Sequence, residues 1–194
     1  MQELYPIKTY YEKLDNIIGS FYPGEVTLIC GHANQFVDER VYFLFTLIKL
    51  ITYGTGKPGV LFDVYHFSPR TIYSSLIASI TSIPETKVCT GKFDESEISF
   101  VGTIKKQVYD LPLVIRPMPY FEGVNEEIFK SFKENDIEIL YMGCIPSLKI
   151  HDKLSVYEEE AFVIMKLKQL SKELNIPIVV CSRMMEKDVY KDEL

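Results

Sequence analysis

The chain has 194 residues, 47% of them hydrophobic and 25% charged, enough to bury the core of one α/β domain. No apolar run approaches the ~20 residues a membrane span needs, and the longest, Val41–Leu50, is broken by Thr46 and Lys49. The net charge of −6 argues against a broad nucleic-acid footprint.

In chain order, the N-terminus lacks a basic stretch followed by an apolar core. No secretory signal is therefore expected, and the expected location is cytoplasmic. The closing letters Lys191-Asp192-Glu193-Leu194 match a retention tag but read as coincidence without such a signal. Val26–Cys30 is a short apolar run that predicts a buried strand. Val37–Tyr53 has helical length and is apolar nearly all round, which predicts a well-buried helix. A Gly/Pro-rich turn, 54–59, leads into a second strand, Val60–Val64. Ser68-Pro69 opens a helix to about Ser82, with Ser68 as the cap and Pro69 in the first turn.

Glu95–Tyr109 reads as a helix and Leu113–Arg116 as a strand. A further helix is expected from about Asn125 to Lys133, and a strand over Ile137–Met142. Tyr157–Leu174 is an amphipathic helix with Val163, Leu167, Leu170 and Leu174 on one face; Asn175 ends it, and Ile178–Cys181 is the last strand. Alternating helices and short apolar strands predict a mostly parallel sheet covered on both faces, with its site at the carboxyl ends of the strands. The pattern has no internal repeat and no linker. One domain is expected: a lead-in segment 1–25, a core 26–182 and a short tail 183–194.

Cys30, Cys89, Cys144 and Cys181 are widely spaced, and buried reduced thiols are expected. Most lysines fall on predicted helices, where a solvated face is the ordinary explanation.

Several stretches together resemble the RecA-like C-terminal motor domain of DnaB-type replicative DNA helicases. The resemblance runs from about Ile7 to Met185. Ile7-Lys8-Thr9, Leu14-Asp15 and Phe21-Tyr22-Pro23-Gly24-Glu25 are similar to that domain's lead-in, where a "GGL/F-x-P-G-D/E" turn feeds the first strand. Gly56–Phe62 resembles the run before its second strand, Cys89–Asp94 its "TGKL" stretch, and Leu111–Ile115 its "LPLYI". Lys168–Val180 is the best match. The resemblance implies a RecA-like fold of the P-loop NTPase type: three layers, with helices on both faces of a mostly parallel sheet. It also implies ancestry in an ATP-dependent DNA helicase that uses Mg·ATP.

The functional residues of that family do not carry over. The stretch Gly31-His32-Ala33-Asn34-Gln35-Phe36-Val37-Asp38 stands between a strand and a helix, the setting of a Walker A loop. That loop needs a glycine for close backbone approach, a lysine for the β/γ-phosphates and a hydroxyl for Mg²⁺. Phe36, Val37 and Asp38 occupy those positions. The water-activating glutamate after the second strand aligns with Tyr65, or with His66 if the gap is placed differently. The Walker B aspartate falls on Met142 or Gly143, and the γ-phosphate-sensing glutamine on Arg183. With the chain ending at Leu194, the family's DNA-binding loops and arginine finger are expected to be missing or only vestigial, and its helical N-terminal domain absent.

The vestigial cleft is therefore expected at Gly31, His32, Asn34, Phe36, Val37, Asp38, Tyr65, His66, Met142, Gly143 and Arg183. No catalytic residue and no cofactor are expected. Asp38 and Glu39 in the first helical turn would satisfy the free N–H groups and repel a triphosphate. Arg183 is expected to pair with Asp38 or Glu39. The expected role is a protein-interaction or assembly module linked to replication or mobile-element functions. A rival reading is a ligand-binding protein or enzyme with a remodelled cleft, for instance a zinc held by His32, His66 and Cys144 or Asp63. The bland reading of those residues is ordinary polar groups at a degenerate edge. A third reading, ATP-independent DNA binding, is not supported by charge. Tyr141–Cys144 would line a small pocket or, on the plainer reading, pack into the core. Arg70 is expected to face solvent.

Overall fold

The computed structural model describes residues 5–31, 39–63, 68–117, 136–145 and 155–183. The segment 32–38, the helix expected over 125–133, and residues 64–67, 146–154 and 184–194 lie outside the described residues.

Five parallel strands form one sheet in the order β1-β5-β4-β2-β3. They are β1 (Val26–Gly31), β2 (Gly59–Asp63), β3 (Leu113–Pro117), β4 (Ile139–Met142) and β5 (Ile178–Arg183). Every strand expected from its apolar run is present, within a residue or two of the expected bounds. The apolar runs are continuous because both faces of the sheet are covered.

The helices are α1 (Glu12–Ile18), α2 (Glu39–Ile48), α3 (Pro69–Thr81), α4 (Glu85–Thr90), α5 (Glu95–Tyr109) and α6 (Val156–Leu174). The short helices α1 and α4 were not expected; one to two turns carry too little periodicity to be read. α2 runs into a π-helical turn over Lys49–Tyr53, where Ile51 and Thr52 are buried. The sequence pattern predicts one uninterrupted helix there.

Local chemistry sets the boundaries. Ser68 caps α3, its Oγ accepting from the Thr71 amide at 3.2 Å, and Pro69 takes the first helical position. Ser155 and Glu158 form a reciprocal capping box on α6: the Ser155 amide donates to Glu158 Oε2 at 2.8 Å and the Glu158 amide to Ser155 Oγ at 3.4 Å. Asn175 ends α6 in the left-handed region at φ 55°, a conformation asparagine tolerates. In the lead-in, the Asp15 carboxylate accepts from the Thr9 amide (2.8 Å), the Thr9 hydroxyl (2.6 Å) and the Tyr10 amide (3.1 Å). This ties down the chain that pairs Ile7 with Phe21.

The layers separate two cores. On one face, Val163, Leu167, Leu170 and Leu174 of α6 bury against Val60, Phe62, Leu140, Met142, Ile178 and Val180. On the other, α2, α3 and α5 cover Leu61, Ile139, Tyr141, Val179 and Cys181. Full burial of each large aliphatic side chain contributes about 1.5–3 kcal/mol.

β1 lies at the sheet's edge, with β5 its partner among the described residues. That position corrects the expectation of buried thiols: Cys30 is exposed, as is Cys89, Cys144 is half-buried, and Cys181 alone of the four is buried. The expectation that the helix after β1 is buried holds for Val41, Leu44, Phe45, Leu47, Ile48 and Ile51, while Tyr42 stays exposed.

Candidate functional site

In a parallel sheet the carboxyl ends of all strands lie on one edge, so the register decides which residues meet there. Gly31 ends β1 directly beside Arg183, the last residue of β5. Met142 ends β4 between Val180 of β5 and Phe62 of β2. The next residue, Gly143, donates its amide to Phe62 O at 3.0 Å. The helices that follow β1 and β4 in the chain lie on opposite faces of the sheet, α2 on one and α6 on the other. Sheets of this kind hold their ligands at the carboxyl ends of the strands.

The sheet thus brings Gly31, Met142, Gly143 and the backbone of Arg183 to one edge. His32, Asn34, Phe36, Val37, Asp38, Tyr65 and His66 lie outside the described residues, as do the side chains of Glu39, Asp63 and Arg183. The expected pairing of Arg183 with Asp38 or Glu39, and the geometry of the zinc ligand set, fall there too. Among the described residues, no group of three His, Cys, Asp or Glu is placed to hold a metal.

The end of β4 is chemically plain. Met142 is 0% exposed and belongs to the core under α6. Gly143 is buried and has no side chain to offer. Cys144 Sγ donates to the Ile145 carbonyl at 3.1 Å. Tyr141 points to the opposite core, where its hydroxyl lies 3.2 Å from Thr52 Oγ1. Burial pushes that phenol well above the ordinary tyrosine range, and the Thr52 hydrogen bond offsets only part of the effect. Tyr141 and Met142 therefore pack into cores, the plainer of the two readings of this segment.

Arg40 was not anticipated. It stands in the first turn of α2 and is only 5% exposed. Its aliphatic stem runs over Gly31: a Cβ built on Gly31 would lie 3.2 Å from Arg40 Cγ and 3.4 Å from Cδ. Its carbonyl accepts from Cys181 Sγ at 3.5 Å, linking α2 to β5. The mostly apolar character of the surrounding helix masks this cation in the sequence. Its signal is position, two residues beyond the site where the phosphate loop's hydroxyl would stand.

A parallel sheet in this order, with helices on both faces and a glycine closing β1, defines a RecA-like domain of the P-loop NTPase type. The chain belongs to the family described as the DnaB-like helicase C-terminal domain, whose model matches residues 6–192. The match spans the region, Ile7 to about Met185, over which the sequence motifs show the resemblance.

Similar sequences include the replicative DNA helicase DnaB of Treponema pallidum (strain Nichols), 25% identical over 186 residues, covering 93% of this chain and 41% of that protein. The replicative DNA helicase DnaB of Buchnera aphidicola subsp. Baizongia pistaciae is 22% identical over 191 residues, covering 92% and 39%. This chain thus spans about two-fifths of the length of these curated relatives. Among solved structures, a DnaB-like replicative helicase described together with its interactions with primase superposes with a TM-score of 0.81 at 11% identity, covering 100% of this chain and 48% of that one. A second solved structure, described as an ATPase domain, gives a TM-score of 0.81 at 11% identity, covering 98% and 68%. No described helix is long and apolar enough to cross a membrane.

Proposed function

We propose that this DnaB-type RecA-like domain has lost ATP binding and hydrolysis and works through contacts with other proteins, or with copies of itself, in a replication or mobile-element setting. The observation that carries the reading is the end of β4. The family's Mg²⁺-holding aspartate belongs there, and the residues present are a fully buried methionine and a glycine. Neither supplies a carboxylate, and Met142 is fixed in the core by α6.

The loop after β1 supports the same conclusion. Val37 replaces the phosphate-binding lysine, Asp38 replaces the hydroxyl, and Glu39 opens α2. Local charge shifts by about three units against a triphosphate, and each close pair contributes roughly 1–4 kcal/mol depending on screening. Phe36 adds bulk where a glycine lets the phosphates approach the backbone. Tyr65 stands in place of the water-activating glutamate and Arg183 in place of the γ-phosphate sensor. A phosphoryl-transfer site works by positioning and electrostatics, so losing lysine, base and metal ligand together removes most of what accelerates the reaction.

One structural relative is described in its interactions with primase, which favours protein contacts as the remaining use of such a scaffold. The net charge of −6 disfavours nucleic acid as the partner. A single-turnover assay with labelled Mg·ATP tests the loss of activity. Phosphate release is expected to stay at the buffer rate. Release well above that rate, abolished by Asp38→Ala or Arg183→Ala, would overturn the proposal.

A further inference from the structure

We infer that the outer edge of β1, together with the flank of α6 beside it, is a docking face for a second copy of this chain, the two β1 strands pairing antiparallel across a two-fold axis. The inference names a surface for the self-contact in the proposed function and rests on that reading. β1 closes one side of the sheet, and β5 is its partner among the described residues. The Ile178 amide donates to Glu25 O at 3.0 Å, so the Glu25 carbonyl points toward β5. Backbone groups alternate sides along a strand. Thr27 and Ile29 therefore address β5 as well, and Val26, Leu28 and Cys30 point their N–H and C=O groups outward. No described residue bonds to those outward groups.

Sheet edges are ordinarily blunted by charge, proline or a bulge. β3, at the other edge of the described sheet, carries Arg116 and Pro117. β1 carries Val26, Thr27, Leu28, Ile29, Cys30 and Gly31, with no charge and no proline, and pairs with β5 without a bulge. Leu28 is 38% exposed, and Cys30 is exposed as well. The apolar surface continues onto α6. Lys168 pairs with Glu25, and Ser171 Oγ donates to Glu25 O at 3.1 Å, which sets that side of α6 over the start of β1. Steps of three and four residues back along the same side reach Ile164, half-buried, then Ala161 and Tyr157, both exposed.

Geometry selects the occupant. α6 and α2, on opposite faces, each pack against both β1 and β5. Strands lie about 4.8 Å apart, so a helix over the β1–β5 step stands about 5 Å from a two-fold axis set half a spacing outside β1. The matching helices of two copies are then about 10 Å apart, the distance at which helices pack. A lone peptide strand would pair with the edge and leave Tyr157 and Ala161 exposed; a second copy brings its own α6 to cover them. An axis through Leu28 sets Val26 of one copy opposite Cys30 of the other, and Glu25 opposite Gly31. No like charges meet along the paired strands, although the chain carries a net charge of −6.

The test is sedimentation velocity of the whole chain over a wide range of protein concentration. A reversible dimer is expected, its fraction rising with concentration. Leu28→Pro removes an N–H that β5 does not use. Leu28→Lys puts a charge on the edge with the backbone intact, and Tyr157→Glu acts from α6 alone. Each should weaken the dimer about tenfold or more, as lost pairing or like charges brought together across an interface do. Ile98→Gln, at an exposed position on α5, should leave it unchanged. Far-UV circular dichroism shows whether each variant is folded; where Leu28→Pro is not, Leu28→Lys decides. A monomer at every concentration, or a dimer unaltered by Leu28→Lys or by Tyr157→Glu, would overturn the inference. An unaltered dimer would keep self-association and move it to another face. Neither outcome bears on the loss of nucleotide binding, which the phosphate-release assay judges.

Discussion

Gly59, which opens β2, meets Tyr141, the largest fully buried side chain among the described residues. A Cβ there would lie 2.8 Å from Tyr141 Cε2 and 3.2 Å from Thr52 Oγ1, both in a closed core. Real side chains do not sit so close, and neither neighbour has room to withdraw. Gly59→Ala is expected to cost about 1–3 kcal/mol, read as a lower denaturant midpoint at constant slope. Tyr141 itself makes the fold sensitive to alkali. Its folded pKa is raised above the unfolded value of 10.0, so its contribution is complete below that value and falls as pH rises past it. The raised pKa of Lys87, held by hydrogen bonds to Asp94 and Glu97, acts in the same direction, its share being lost as pH rises through the folded pKa. Thermal melts from pH 8 to 11 should show declining stability above about pH 10. Tyr141→Phe should reduce that decline, leaving the shares due to Lys87, Tyr42 and Tyr73, while costing about 1 kcal/mol at neutral pH through the lost Thr52 hydrogen bond. An unchanged alkaline profile in Tyr141→Phe would contradict this account.

Among the elements, α6 shows most clearly what a sequence reveals. The 3.6-residue spacing of Val163, Leu167, Leu170 and Leu174 marks both the helix and its buried face, and Asn175 marks its end, while the Ser155–Glu158 capping box that opens it is seen only in the structure. Ser155→Ala should remove about 1 kcal/mol at neutral pH. The Glu158 carboxylate is held below its ordinary range by hydrogen bonds from Ser155. Its contribution is therefore present above the unfolded carboxylate pKa and lost as pH falls through the folded one. The gap in melting temperature between wild type and Ser155→Ala should narrow from pH 7 to pH 3; a constant gap would show that the cap acts without its carboxylate. The strands were legible for a similar reason, as short apolar runs. Their order was not, because lateral placement in a sheet leaves no local trace. Cys30 looks like a core thiol until β1 is found at the edge. The short α4 was equally silent, because one to two turns leave too little periodicity to read.

For the whole molecule, family motifs and apolar pattern agree on the fold, and the parallel order of the sheet places Gly31, Met142, Gly143 and Arg183 along one edge. That convergence depends on topology, which was legible beforehand only through resemblance to a known family. Arg40 shows the limit of such resemblance: a buried cation beside Gly31 stands outside the motif positions that comparison inspects. An acidic chain of this fold is expected to show no single-stranded DNA binding at 150 mM salt by fluorescence anisotropy. Binding that weakens steeply with salt would indicate a local phosphate-contacting surface.

The most direct test of the central claim is calorimetric titration of Mg·ATP into the purified chain, alongside Asp38→Ala. The account predicts no heat of binding for either protein. Saturable heat in wild type that changes in Asp38→Ala would mean that the carboxyl edge still holds nucleotide, and would contradict it.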